Sequence, residues 1–416
     1  MKGNPAEMKP FFQVTDLKDV LAMAEAVLPT DSEPKPLGST LGRVLAEPVT
    51  ARENVPPFAR ATMDGFAVAA ASTFGASEAN PAYLNLTGRI AMGQVPSRAV
   101  GPGEAMKIST GGMLPPGADA VAMLEHAASL DETTIEVYRS VAPGQHVIGV
   151  GEDLRLGETL IAAGRRLRPQ DAGLMAALGC TRVRVHRRPR VGIISTGDEI
   201  VPAEAKPGPG QIRDVNTHTL ADLVRQAGAI PAKYGLVGDD LPRLKAVCRQ
   251  ATAENDMVLI SGGSSLGMRD FTVEALAELP DSRIRVHGIT ISPGKPTILA
   301  QSGAKLVWGL PGHVTSAMVV FGAVVRPFLD RLCGLAAEAR RPPVMARLTR
   351  NLQSAAGRVD FVRVRLVHGD HGEILAEPIL GKSGLIRTMV QADGLIAVDM
   401  NTEGLEKGDP VAVALF

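Results

Sequence analysis

The sequence predicts a multidomain protein of α/β plus β parts: a central doubly wound α/β domain, a small β domain inserted near the N-terminus, and a C-terminal β-barrel-like domain. Three observations carry this. Between residues 189 and 335, buried-type strands alternate with amphipathic helices, the rhythm of an open, mostly parallel sheet covered on both faces. Between residues 46 and 150, and again from 343, the chain breaks into short β-like runs separated by Pro and Gly. A length of 416 residues also exceeds what one hydrophobic core usually organises.

The elements follow in order. In residues 11–45, Val14, Leu17, Val20, Leu21, Ala24 and Val27 fall on one helical face, and Pro29 stops the pattern. The inserted domain, residues 46–150, contributes β runs at 65–68, 83–86, 105–108, 120–123 and 134–137. Residues 151–188 offer a strand at 159–161, a helix at 172–178 and a strand at 182–185, and are expected to rejoin the first helix as a linker domain. After the junction Arg187-Arg188-Pro189 come strands at 191–195, 258–261 and 306–310, with helices at 217–227, 241–252, 271–279 and 315–322. Arg340-Arg341-Pro342-Pro343 reads as a linker, and residues 343–416 return to alternating strands.

Composition excludes several classes. Apolar residues make up 45% but aromatics only 3%, so the cores are aliphatic and base stacking is not expected. Lys plus Arg and Asp plus Glu both total 44, which removes the basic footprint of a nucleic-acid or anionic-membrane binder. No apolar run reaches the ~20 residues that span a bilayer, and the first residues lack a signal-peptide core. Cys180, Cys248 and Cys333 are far apart, without CxxC spacing, which fits a reducing compartment. The expectation is a cytoplasmic protein with no membrane and no nucleic-acid partner.

In an open parallel sheet, ligands collect at the carboxyl ends of the strands. Here three such crests carry Ser195-Thr196-Gly197-Asp198-Glu199, Ser261-Gly262-Gly263-Ser264-Ser265 with Asp270 beyond, and Pro311-Gly312-His313-Val314-Thr315-Ser316. One glycine-rich turn is ordinary punctuation; three on consecutive crests shift the odds toward a site whose backbone N–H groups cradle an anion. Thr315 or Ser316 is fit to cap the helix after the third crest. Between the last two crests, Ser292-Pro293-Gly294-Lys295-Pro296-Thr297 presents a lysine on a stiffened turn. A carboxylate at Asp239 reads by itself as a helix cap, and an arginine such as Arg363 as solvated surface.

No Walker pattern, GxSxG, HExxH or spaced Cys/His cluster is present. Carboxylates, hydroxyls and glycine amides suit a phosphorylated ligand held with a hard cation such as Mg2+. The inserted domain adds Asp64 in Thr62-Met63-Asp64-Gly65-Phe66-Ala67, Thr110 in Ser109-Thr110-Gly111-Gly112, and Asp153 in Gly151-Glu152-Asp153. Each of these also fits plain turn chemistry.

Taken in order, these phrases, with Pro116-Gly117-Ala118-Asp119-Ala120-Val121, Pro293-Gly294-Lys295-Pro296 and Gly309-Leu310-Pro311-Gly312, resemble the MoeA and gephyrin E-domain family from about Val14 to the C-terminus. The resemblance implies a MogA/MoaB-like, molybdopterin-binding central domain and an elongated homodimer in which the inserted domain of one subunit faces the α/β domain of the other. It implies the activity of a molybdopterin molybdenumtransferase: adenylylated molybdopterin and molybdate give molybdenum cofactor and AMP, assisted by Mg2+. Contacts with a molybdopterin adenylyltransferase and with molybdoenzymes are implied as well. The family's catalytic positions fall on Asp64, Thr110, Glu199 and Asp270, with Glu199 and Asp270 at the metal. Substrate-binding positions fall on Asp153, Ser195, Thr196, Gly197, Asp239, Gly262, Gly263, Ser264, Lys295, Pro311, Gly312, Arg363 and Ser383.

The chain departs from the family pattern at Ser292 and Gly288, where basic residues are usual, and at His313 and Val314, which stand for Asn and Pro. These departures point to a divergent branch. They leave open a non-catalytic molybdopterin-binding scaffold and a tungstate-inserting paralogue.

Overall fold

The computed structural model describes residues 14–262, 266–337, 342–370 and 372–416, the side chains of 266–270 excepted. The central α/β domain runs β1 (Arg190–Thr196), α1 (Asn216–Gln226), β2 (Ile230–Val237), α2 (Leu241–Glu254), β3 (Met257–Ser261), α3 (Leu266–Ala277), β4 (Ser282–His287), β5 (Ile298–Ser302), β6 (Lys305–Leu310) and α4 (Val314–Val320). The helix then continues through a π-wound stretch, Phe321–Val325, into α5 (Arg326–Leu332). The strands order β2-β1-β3-β6-β5-β4; β1, β2, β3 and β6 are parallel, and β5 runs antiparallel to both of its neighbours.

The three strands expected from the sequence, β1, β3 and β6, are the central ones. Their residues alternate between two cores. Val191, Ile193, Met257, Leu259, Leu306 and Trp308 pack on one face with α1 and the 314–332 helix. Ile194, Val258, Ile260 and Val307 pack on the other with α2 and α3. β2, β4 and β5 do not read as strands in the sequence. β2 is an edge strand that tolerates Pro231 and Gly235, and β4 interleaves arginines with its apolar residues.

The N-terminal helix departs from expectation. It is an α-helix only over Leu17–Ala22, tightening to a 3-10 turn at Met23–Ala26. Its buried residues, Val20 and Ala24, pack on the α/β core beside the 314–332 helix, so residues 151–188 do not rejoin it. They rejoin the stretch just after it. Arg182–His186 pairs with Ser32–Pro36, Thr159–Ile161 pairs with Val49–Thr50, and the helix Pro169–Ala177 closes a separate core of Leu45, Val49, Ile161, Met175 and Val185. A helix with so few apolar residues gains more by docking on a large existing core than by nucleating a small one.

The inserted domain is a six-stranded sheet in the order Ala120–Met123, Gly65–Val68, Glu104–Ile108, Ala82–Ile90, Thr134–Val137, Ala127–Ser129. All five β runs expected there are strands. In the C-terminal domain, Val359–His368, Ile374–Pro378, Val344–Leu348, Pro410–Leu415 and Gly394–Val398 close on themselves as a barrel. Ile291–Ser292, a short strand of the α/β domain, adds to that barrel by pairing with Val359 and Asp360.

Trp308 is the only tryptophan of the chain and stands edge-on to Phe328, with ring centroids 5.0 Å apart. Both are fully buried. Phe328→Ala should therefore destabilise the α/β domain by about 3–5 kcal/mol. A lowered urea midpoint of the Trp308 fluorescence transition is the expected readout; an unchanged midpoint would show that the helix is not held through this contact.

Candidate active site

The first crest forms where β1 and β2 end side by side. Asp198 Oδ1 accepts the backbone N–H of Asp239 at 2.8 Å, locking the two strand ends together. Glu199 curls back over Gly197, whose φ of +141° is a backbone conformation that favours glycine. The Glu199 carbonyl accepts the Ile212 N–H at 2.8 Å beside the small strand pair Ile200–Val201 and Ile212–Arg213. Asp198, Glu199 and Asp239 are all exposed. Partial burial, and then the charges of Asp198 and Glu199, raise the Asp239 pKa above the usual carboxylate range. Asp239 is free for this role because its neighbour Asp240 is the helix cap, accepting the Arg243 N–H at 3.0 Å.

Below the rim lie buried hydroxyls. Ser195 is fully buried, and its Oγ meets Thr217 Oγ1 at 2.8 Å, Ser261 Oγ at 3.2 Å and Asp214 Oδ1 at 3.3 Å. Expected among the substrate-binding residues, Ser195 is buried and ties β1 to β3 and to the start of α1. Asp214 also accepts the Thr217 N–H at 3.0 Å. Thr196 is buried too, and its hydroxyl has no partner among the described residues. It lies beneath Gly262, where φ is +124° and a Cβ would come within 2.1 Å of the Thr196 carbonyl. Gly263 and Ser264 lie outside the described residues, as does the Asp270 side chain.

At the third crest the helix starts at Val314 with His313 as its cap residue, so Thr315 and Ser316 sit inside the first turn and do not cap it. The Thr315 N–H donates instead to Ser383 O at 3.2 Å, and Ser383 Oγ lies 3.2 Å from His313 Nδ1. The C-terminal barrel thus reaches the α/β crest through Ser383, next to Gly312, whose carbonyl accepts from Asn216 Nδ2 at 2.8 Å. Pro311 is buried beneath. Arg363, expected on the surface or at the substrate, is only 9% exposed. Its Nη1 donates to Thr388 Oγ1 at 3.0 Å and its Nη2 to Gly381 O at 2.9 Å, so it braces the loop that carries Ser383.

Lys295 is exposed on its turn. Ser292, in place of a basic residue, pairs with Asp360 of the barrel along the strand ladder. Gly288 has φ +101°, a backbone position that disfavours the longer side chain usual in the family.

In the inserted domain Asp64 and Thr110 do come together. Asp64 Oδ1 accepts the Thr110 N–H at 2.6 Å and its hydroxyl at 2.9 Å. Those bonds, the backbone one first, hold the exposed Asp64 carboxyl below its usual range. Asp153 is exposed, with its N–H bound to Val55 O at 3.1 Å. The bonds that position Asp64 and Thr110 stay inside the inserted domain, and those that position Asp198, Glu199 and Asp239 stay inside the α/β domain. Asp198, Asp214 and Thr217 are absent from the residues the sequence singles out as site residues. Asp198 was readable from its place in the first crest; the other two reveal themselves only through the fold.

Residues 192–331 match the family described as "Probable molybdopterin binding domain", which defines the class of protein that this fold and crest belong to. Residues 15–179 match the MoeA N-terminal region (domain I and II), and residues 345–416 the MoeA C-terminal region (domain IV). Over 385 residues the chain is 37% identical to a Methanocaldococcus jannaschii protein named "Putative molybdopterin biosynthesis protein", covering 90% of each. It is 33% identical to the molybdopterin molybdenumtransferase of Bacillus subtilis, covering 91% of this chain and 89% of that one. A crystal structure of the MoeA protein of Pyrococcus horikoshii superposes with a TM-score of 0.85 at 31% identity, over 97% of this chain and 100% of the other. The chain belongs to the MoeA family.

Thr110→Val removes the hydroxyl donor to Asp64 and keeps the backbone one. The Asp64 pKa should rise part of the way to about 3.9, as read by carbon-13 NMR of the carboxyl. Because the folded pKa is depressed, whatever stability this carboxylate contributes is present above its unfolded pKa and is lost as pH falls through the folded value. An unmoved Asp64 titration in Thr110→Val would show that the hydroxyl does not bond to the ionised acid.

Proposed function

We propose that this protein is a molybdopterin molybdenumtransferase, which takes adenylylated molybdopterin and molybdate to molybdenum cofactor and AMP. The chain acts in molybdenum cofactor biosynthesis, as a MoeA-family transferase. The observation that carries the finer reading is the crest of Asp198, Glu199 and Asp239 on a molybdopterin-binding-type domain, complemented by the Asp64–Thr110 pair on the inserted one.

Splitting the phosphoanhydride of an adenylylated pterin needs the phosphates held and the charge on the departing AMP neutralised. Exposed Lys295 and the backbone at Gly312 supply donors for those phosphates, whereas the Gly197 and Gly262 N–H groups are already bonded to Val237 O and Leu310 O. Asp64, kept ionised by Thr110, suits holding the hydroxylated, amino-bearing pterin end or organising protons around the oxyanion. The raised Asp239 pKa fits a magnesium site, because crowded carboxylates there gain from a shared cation. Mg2+ is usually held through one or two carboxylates plus phosphate oxygens. Glu199 and Asp270 are the residues we assign to it. Held by these two carboxylates, a magnesium ion would supply charge stabilisation for the breaking anhydride.

We further propose that the site is shared across a homodimer, with Asp64 and Thr110 of one subunit facing Glu199 of its partner. This accords with each half being positioned by bonds within its own domain. Product transfer would bring contacts with a molybdopterin adenylyltransferase and with molybdoenzymes. A cytoplasmic setting agrees with three free cysteines, of which buried Cys248 has its pKa pushed up to about 12. No helix among the described residues is long and apolar enough to cross a membrane.

AMP release from adenylylated molybdopterin, with molybdate or tungstate and with or without Mg2+, tests the reaction. Wild type should release AMP and form cofactor only with the cation, and Glu199→Ala should lower the rate by about 100-fold or more. Pterin-nucleotide binding without release would move the protein to a scaffold role, and faster turnover with tungstate to a tungsten-inserting one. Co-expressed Asp64→Ala and Glu199→Ala subunits should recover about a quarter of wild-type activity, since mixed dimers keep one intact site. No recovery in dimers verified as mixed would place both halves of the site within one subunit.

A further inference from the structure

The inserted domain holds a cavity of about 190 Å³ that the reading above does not use. It opens along Ala120–Met123, the edge strand of the sheet, and its polar lining is His126, Arg139, Gln145 and His146. None of the residues lining it is acidic. It is smaller than the ~300 Å³ at which pockets for drug-sized ligands begin, and too large for one water at ~30 Å³.

The hydrogen bonds around it leave donors uncommitted among the lining residues. Gln145 Oε1 accepts the Ala142 N–H at 2.9 Å, which turns its Nε2 toward His146 Nε2 at 3.2 Å. His146 Nε2 therefore accepts, and the ring's proton sits on Nδ1. Arg139 Nη1 approaches His126 Nε2 at 3.5 Å and leaves its other N–H groups uncommitted among the described residues. The edge strand adds a backbone donor. The Val121 N–H already points outward, to Gln145 O at 3.1 Å, and strand alternation turns the Met123 N–H to the same side.

His146 also occupies the left-handed backbone region, at φ +60°. A non-glycine residue there costs about 1 kcal/mol, and glycine would serve the turn more cheaply. The imidazole is kept at that cost.

We propose that this cavity is a binding site for a small oxyanion, a free inorganic one or the phosphate of a larger molecule, held by Arg139, the two histidines and the Met123 N–H. A guanidinium with converging N–H donors, and no carboxylate in the lining, is the chemistry that recognises such an anion. The site adjoins the Asp64 turn through the backbone: the Thr62 N–H donates to His146 O at 2.9 Å and the Leu124 N–H to Asp64 O at 3.1 Å. It stands independently of the transferase reading, because neither Asp64 nor the α/β crest lines it.

The test follows the His126 and His146 ring signals by NMR in the full-length protein, assigned with His126→Gln and His146→Gln. Molybdate, sulfate, phosphate and AMP are titrated separately, against chloride at matched ionic strength. A saturable shift is expected, weakened tenfold or more in Arg139→Met and in His146→Gly, which suits the left-handed backbone. Saturation by inorganic anions identifies a free oxyanion as the ligand; saturation by AMP alone identifies a phosphate ester. Shifts that only track chloride, or that are identical in Arg139→Met with unchanged thermal unfolding, would overturn the proposal.

Discussion

The packing of the 314–332 helix is the contact on which the rest of the structure depends. Phe321, Val324, Phe328 and Leu332 bury against β1, β3 and β6, where Trp308 meets Phe328. The same cluster takes in Val20 and Ala24 of the N-terminal helix and the flanks of Val359 and Phe361 from the barrel. On another side Val319 packs with Met389 and Leu395 of the barrel. One helix thus joins three parts of the chain, and its first turn sets His313 against Ser383 at the crest. Fully burying a large aliphatic or aromatic side chain contributes about 1.5–3 kcal/mol, so the site geometry rests on burial and not on the exposed ion pairs.

The crest works against that stability. Carboxylates at Asp198, Glu199 and Asp239 repel one another, and the proximity is imposed by the sheet: β1 and β2 end side by side, and Asp198 holds the Asp239 N–H. Buried hydroxyls beneath, from Ser195 to Asp214 and Thr217, keep those strand ends from relaxing apart. Crowded charge above a rigid polar floor is the arrangement expected where binding offsets strain built in by folding.

Much of this was legible in the sequence because central strands and turn motifs are local signals. β1, β3 and β6 and the five β runs of the inserted domain all followed from short stretches of text; Asp64 and Thr110 were each singled out, but the bond between them shows only in the fold. What was not legible depends on which way a side chain points. Ser195 reads as a rim hydroxyl and Arg363 as a solvated cation, yet Ser195 lies on a strand buried on both faces and the Arg363 guanidinium is drawn inward by Thr388 and Gly381. The N-terminal helix shows the right periodicity, but the sequence does not say which core it joins. His126, Arg139 and His146 are scattered over loops with no spacing that signals a cluster, and only the closure of the sheet edge brings them together.

The π-wound stretch at Phe321–Val325 has its own consequence. Such a turn accommodates one residue more than an α-helix would, and each residue advances the helix by about 100°. The residues before and after it are therefore shifted in phase relative to an unbroken α-helix. A plain α-helix would turn Val320 about 80° away from Phe328, and taking up about one residue, or about 100°, brings the two nearly into line on the core side, while Val319, one step before, faces the barrel. The segment acts as a phase adjuster, keeping the buried stripe of one continuous rod aligned across the join.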